Sequence, residues 1–202
     1  MNTNIICKIL KNNTKFLLLN SECYSKLYLF FYFFENIQKL FNKACKYNHI
    51  EIVKLLLQDP KVDPSDENNK SIQFACRNGY LEVVKLLLQD PKVDPSSHNN
   101  YAIRWASENG HVEVVKLLLQ DPRVDPSDKN NKAIKWASQY GHIEVVKLLL
   151  QDPRVDPSDH DNDAIRCASE NGHEEIVKLL LQNTRVISKK IHIEDIFDNF
   201  FK

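Results

Sequence analysis

A 31-residue unit recurs almost unchanged along this chain, and no other feature narrows the possible folds so far. Full copies begin at Lys61, Lys92, Arg123 and Arg154, each close to R-V-D-P-S-D-x-N-N-x-A-I-x-W-A-S-x-N-G-H-x-E-V-V-K-L-L-L-Q-D-P. A front-truncated copy lies upstream, where Ala44-Cys45-Lys46 precedes His49-Ile50-Glu51-Ile52-Val53-Lys54-Leu55-Leu56-Leu57. All eight prolines and all four glycines fall at fixed positions of the unit. A period in this range marks a solenoid, in which no unit buries its apolar face alone and neighbours must stack. Solenoids are mostly surface, so binding is expected before chemistry.

The copy from Lys92 to Pro122 shows how the unit is built. Apolar residues at helical spacing across Ala102–Asn109 predict a first helix, stopped by Gly110, which enters the left-handed region at no steric cost. Val112–Gln120 predicts a second helix carrying Val114, Val115, Leu117, Leu118 and Leu119. Helices this short are marginal in isolation, because nucleation is costly, so stacking must hold them. Asp121-Pro122 ends the second helix, and Val124-Asp125-Pro126 is expected to run extended, since a residue before proline avoids the helical region. Asn99-Asn100 marks a tight turn, because asparagine tolerates positive φ. The unit reads as helix, turn, helix and a protruding finger.

Residues 37–184 resemble ankyrin repeats. The resemblance rests on Gly110-His111-Val112-Glu113-Val114-Val115-Lys116-Leu117-Leu118-Leu119 and its equivalents at 79–88, 141–150 and 172–181. It implies an all-α-dominated repeat solenoid, a helix-turn-helix stack with β-hairpin-like fingers and a concave groove, whose usual activity is protein–protein binding without catalysis or cofactor. The departures are local. Lys132-Ala133-Ile134-Lys135-Trp136-Ala137-Ser138 stands where the family carries T-P-L-H-x-A-A, and the finger's glycine is asparagine. The array divides into a partial repeat at 37–60 and full repeats at 61–91, 92–122, 123–153 and 154–184.

In this family partners touch the finger tips and the first-helix face. Comparing copies within the chain shows where the unit varies. The tip position reads Glu67, His98, Lys129, His160, and the position after the turn reads Lys70, Tyr101, Lys132, Asp163. Two first-helix positions read Gln73, Arg104, Lys135, Arg166 and Arg77, Glu108, Gln139, Glu170, with Tyr140 replacing asparagine in one copy. These are the candidate binding residues. Tyr101, Arg104, Tyr140 and Arg166 are the expected anchors, because tyrosine and arginine are enriched where interfaces concentrate their energy. Drift at exposed positions after duplication is the competing explanation. Phe74, Trp105, Trp136 and Cys167 share a position that reads either as a recognition stripe or, preferably, as packing between repeats.

Other constellations carry less. Asp159, Asp161, Asp163 and Glu170 echo a calcium loop, but Ala164 stands where the sharp turn needs glycine. His111, His142 and His173 lie one repeat apart with no further ligand in company, against a zinc site. No nucleophile–base–orienter arrangement or phosphate loop emerges, so no enzyme and no cofactor are expected. Lysine plus arginine equals aspartate plus glutamate at 27 each, which gives no global pull on nucleic acid or an anionic membrane. Lys54, Lys85, Lys116, Lys147 and Lys178 form a column, but each follows a glutamate by three residues and is locally offset. The five cysteines show no C-x-x-C pair, consistent with a reducing, cytoplasmic setting. The expected partner is an unidentified protein, and the chain is expected to be monomeric.

The ends are apolar. Residues 1–36 include the run Leu27–Phe34, which reads as a cap on the first repeat and is too short to span a bilayer. Residues 185–202 carry Ile193, Ile196, Phe197, Phe200 and Phe201 at helical spacing and read as a C-terminal capping helix. The rival reading is a membrane-associated scaffold tethered by the aromatic N-terminal segment, with the array as spacer.

Overall fold

The computed structural model describes residues 37–183 and Val186, so the readings of 1–36 and of the C-terminal helix lie outside the described residues. Within them the chain forms five helix pairs. They are α1 (Ile37–Lys46) with α2 (Ile50–Leu56), α3 (Asp66–Arg77) with α4 (Leu81–Leu88), α5 (Ser97–Glu108) with α6 (Val112–Leu119), α7 (Asp128–Gln139) with α8 (Ile143–Leu150), and α9 (Asp159–Glu170) with α10 (Glu174–Leu181). First helices pack on first helices and second on second. The first helices approach one another more closely than the second ones do. The stack thus has a first-helix face, called the inner side, and a second-helix face, called the outer side. It is an all-α repeat solenoid.

The core is one continuous column of repeated side chains. Ile72, Ile103, Ile134 and Ile165 from the first helices meet Leu87, Leu118, Leu149 and Leu180 from the second, all fully buried. Each such leucine contributes about 1.5–3 kcal/mol through burial. Val62, Val93, Val124, Val155 and Val186 seal the connections between repeats. Because each repeat contacts only its neighbours, stability is set by the interfaces between units.

The fingers differ from the expectation. Among the described residues there is no strand, and the hairpin-like finger is replaced by a compact tip. Pro91 and Pro95 lack the amide hydrogens that a strand ladder would use. Asp94 instead gathers the tip, its Oδ1 accepting from the Ser96 amide at 2.9 Å and the Ser96 hydroxyl at 2.6 Å. The chain then makes a left-handed turn, with φ of 55, 58 and 56° at His98, Asn99 and Asn100, before the right-handed helix begins at Tyr101. Left-handed backbone costs about 1–2 kcal/mol for each non-glycine residue, least for asparagine. The same triple recurs at Glu67–Asn69, Lys129–Asn131 and His160–Asn162.

What holds this turn is a clasp between repeats. Asn100 is 5% exposed. Its Oδ1 accepts the Asp125 amide at 2.8 Å, and its Nδ2 donates to Asp128 Oδ2 at 2.9 Å. Asn131 grips Asp156 and Asp159 identically, and Asn69 takes the Asp94 amide at 2.7 Å. In the partial repeat Gln38 fills this place, accepting the Asp63 amide at 2.9 Å and donating to the Asp63 carbonyl at 2.8 Å.

A second clasp sits at the other end of the first helix. Gly110, at φ 71°, closes α5 with a reversed turn in which the His111 amide reaches the Ala106 carbonyl at 2.9 Å. The ring of His142 from the next repeat then lies on Gly110, its Nε2 bonded to the Glu108 carbonyl at 2.8 Å. His111 covers Gly79 and His173 covers Gly141 in the same way.

A third clasp is present only in the later copies. Arg123 Nε and Nη2 make a forked pair with Asp121, while Nη1 donates to the Val93 carbonyl of the preceding repeat at 2.7 Å. Arg154 repeats this with Asp152 and the Val124 carbonyl. The Arg123 hydrogen bond holds the Asp121 carboxyl below the usual carboxylate range, and Arg154 does so for Asp152. Carboxyls lowered on folding contribute stability that is complete above their unfolded pKa and is lost as pH falls through the folded one. The urea midpoint is therefore expected to fall as pH drops below the ordinary carboxylate range. Arg123→Lys/Arg154→Lys should flatten that decline, and an unchanged acid limb would contradict it.

One core position is imperfect. Cys45 and Cys76 are buried where the next copies place Ser107 and Ser138, whose hydroxyls are fully buried without a hydrogen-bond partner. Such a group costs about 1–3 kcal/mol, so Ser107→Cys and Ser138→Cys are each expected to stabilise the array by about 1 kcal/mol. Thermal melting checks this, and a lowered melting temperature would show the hydroxyls to be satisfied.

Candidate partner-binding groove

The variable positions fall on the inner side of the stack, but they are not equivalent there. The tip residues Glu67, His98, Lys129 and His160 are all exposed, each being the first residue of its left-handed turn. Behind them, Lys70 pairs with Glu67 at 2.6 Å. Tyr101 stacks on Trp105 at 4.5 Å between ring centroids and on His98 at 5.9 Å. Lys132 stands over Trp136 at 4.9 Å, and Asp163 is engaged by Lys135 and Arg166.

The next column turns inward. Gln73 is buried and donates to the Asn68 carbonyl at 2.9 Å. Arg104 does the same with a longer arm, donating to the carbonyls of Asn99 at 2.8 Å and His98 at 3.0 Å. At 5% exposure, Arg104 is not an anchor for a partner, contrary to expectation. Its guanidinium satisfies carbonyls that the left-handed turn leaves without helical partners, and it underlies Tyr101 at 4.4 Å. Arg166 is exposed but bound to Asp163 and Glu170, the latter at 2.9 Å. Arg77 lies over Trp105 at 5.0 Å, while Glu108 and Gln139 are partly buried.

Phe74, Trp105 and Trp136 are half-buried, whereas Cys167 in the same column is 7% exposed. The rings carry cations on their faces: Lys46 over Phe74 at 5.8 Å, Arg77 over Trp105, and both Arg104 (5.7 Å) and Lys132 over Trp136. The column is thus packing at its base and surface at its rim. Tyr140 is 50% exposed.

Comparison of the full copies alone misses Tyr47, which is 43% exposed and occupies the same place in the partial repeat as Tyr140. It also misses Lys43 and Lys46, which with Asn42, Glu67, Lys70, Ser71 and Phe74 line a shallow pocket between α1 and α3. Carrying the 31-residue register back through Ile37–Lys46 would have found them.

The outer face offers less. Lys54, Lys85 and Lys147 pair with Glu51, Glu82 and Glu144 at 2.7–3.0 Å, as their spacing predicts. Lys178 instead meets Glu174, at 3.6 Å. No described helix is long and apolar enough to cross a membrane.

Recurrent clasps, a continuous core and a variable inner face define a helical repeat protein. The family model for ankyrin repeats (3 copies) matches residues 4–99, 73–161 and 103–192. The chain belongs to the ankyrin repeat family. A search of curated proteins finds no match.

Proposed function

We propose that this chain binds a partner protein along the inner face of its first helices and the adjoining tips. Ankyrin repeats are in general protein–protein interaction modules, and the family is typically non-catalytic. The observation that carries the reading is the contrast between two layers of the same helices. The buried layer (Ala102, Ile103, Ala106 and their equivalents) hardly changes between copies, while the layer above it varies and presents Tyr101, Trp105, Trp136 and Tyr140. Half-buried aromatic rings held by stacking lose little entropy when covered, which favours them as contact residues. The free, buried thiols of Cys45, Cys76 and Cys167, that of Cys45 pushed up to about 12 by burial, support a reducing intracellular setting.

Affinity capture from native lysate tests this, comparing wild type with Tyr101→Ala/Tyr140→Ala and with the outer-face variant Lys116→Ala. Both tyrosines project from the folded core, so circular dichroism should show all three helical. Proteins held by wild type and Lys116→Ala should be depleted at least about tenfold in the tyrosine variant, the loss typical of an interface hot spot. Equal recovery by all three would contradict the assignment.

A further inference from the structure

The chain has no net charge, but exposed basic residues gather at the start of its inner face. The first-helix column that ends each copy runs Lys46, Arg77, Glu108, Gln139, Glu170, from basic to acidic. The post-turn column runs Lys39, Lys70, Tyr101, Lys132, Asp163, while the other two variable columns place Lys129, Lys135 and Arg166 in the later copies. At the acidic end the charges are largely matched, since Asp163 and Glu170 engage Arg166 and Lys135. At the basic end Glu67 on Lys70 is the one ion pair among the described groove residues. Lys43 and Lys46 are exposed, and Lys46 Nζ rests over the rings of Tyr47 and Phe74 at 5.5 and 5.8 Å. The pocket between α1 and α3 thus has an aromatic wall, Phe74, and a rim of Lys43, Lys46 and the Lys70–Glu67 pair.

We propose that this pocket is the primary docking point of the groove and that its occupant is an acidic segment of a partner protein carrying an apolar or aromatic side chain. The inference deepens the groove reading and rests on it. A carboxylate reaching Lys43 and Lys46 gains charge-assisted hydrogen bonds, since the pocket's own acid, Glu67, is engaged by Lys70, while the apolar side chain covers Phe74 beside Tyr47. A nucleic acid fits less well, because a polyanion continuing along the groove meets Glu108, Asp163 and Glu170 as well as Lys129 and Lys132.

The test uses the full chain and fluorescein-labelled peptides, one of glutamates around a central phenylalanine and one with glutamines in place of the glutamates. Binding is read by anisotropy and by the emission of Trp105 and Trp136, the two tryptophans of the chain. Lys43→Glu/Lys46→Glu changes exposed side chains and should leave the circular dichroism intact, while Lys147→Glu reverses a charge on the outer face. The glutamate peptide should bind wild type and Lys147→Glu alike, at least tenfold more weakly to Lys43→Glu/Lys46→Glu, and at least tenfold more tightly than the glutamine peptide at low salt. Equal affinity across the variants would overturn the proposal, as would no binding or tighter binding of a single-stranded oligonucleotide in the same assay. Such a failure leaves the groove reading intact if the tyrosine variant still loses its captured partners. Loss of the proposal together with equal capture by that variant removes both.

Discussion

Gly110→Ala is expected to destabilise the array by about 3 kcal/mol, whereas the matched change Gly172→Ala should cost about 1 kcal/mol. Both glycines lie in the left-handed region, at φ 71 and 74°, so the backbone penalty is common to both. The surroundings are not. A Cβ on Gly110 would lie 2.6 Å from His142 Nδ1, while one on Gly172 meets nothing within 4 Å among the described residues. The His142 ring cannot yield freely, since its Nε2 is bonded to the Glu108 carbonyl. Urea denaturation of the two variants measures the difference. Adding His142→Ala to Gly110→Ala should recover part of the loss, which makes the two changes non-additive. Equal costs at the two glycines would mean that the ring does not clamp the repeats.

Asn100→Ala carries the second large effect, about 3 kcal/mol. The substitution strands the partly buried Asp125 amide, removes the donor to Asp128 and leaves alanine at φ 56°, which asparagine tolerates better. Asn100→Gly keeps the backbone conformation and loses only the hydrogen bonds, so it should cost about 1 kcal/mol less. Because Asn100 joins the repeat at 92–122 to that at 123–153, the break is local. Stability in such an array is a sum over neighbouring interfaces, so the melting transition should broaden as the two halves uncouple. A sharp transition at unchanged midpoint for Asn100→Ala would show that the clasp does not join the repeats.

Much of this architecture is legible in the chain itself. The 3.6-residue spacing of Ile103, Ala106 and Val114, Val115, Leu118, with Gly110 between them, specifies two helices and a reversed turn, and repetition specifies the stack. The tip was harder to read. Asn99-Asn100 signals positive φ, but a turn of three left-handed residues depends on a hydrogen bond to a residue 25 positions away, and no local pattern announces it. The inner face divides the same way. The columns containing Tyr101 and Tyr140 were visible as variation, while the burial of Arg104 was not, because an arginine and a glutamine facing one carbonyl look alike to a comparison by type. The basic pocket escaped because the partial copy lacks the D-P-x-V-D-P landmark that sets the register, although Lys43, Lys46 and Tyr47 hold their places in it.

The most direct test of a binding face on the first helices is site-specific photo-crosslinking in native lysate. A benzophenone amino acid replaces Tyr140 on the inner face or Lys116 on the outer face, both exposed positions where the probe leaves the core intact. The inner-face probe is predicted to crosslink discrete partner bands that the outer-face probe does not yield. Crosslinks confined to position 116, or the same bands from both positions, would contradict a partner seated in the groove.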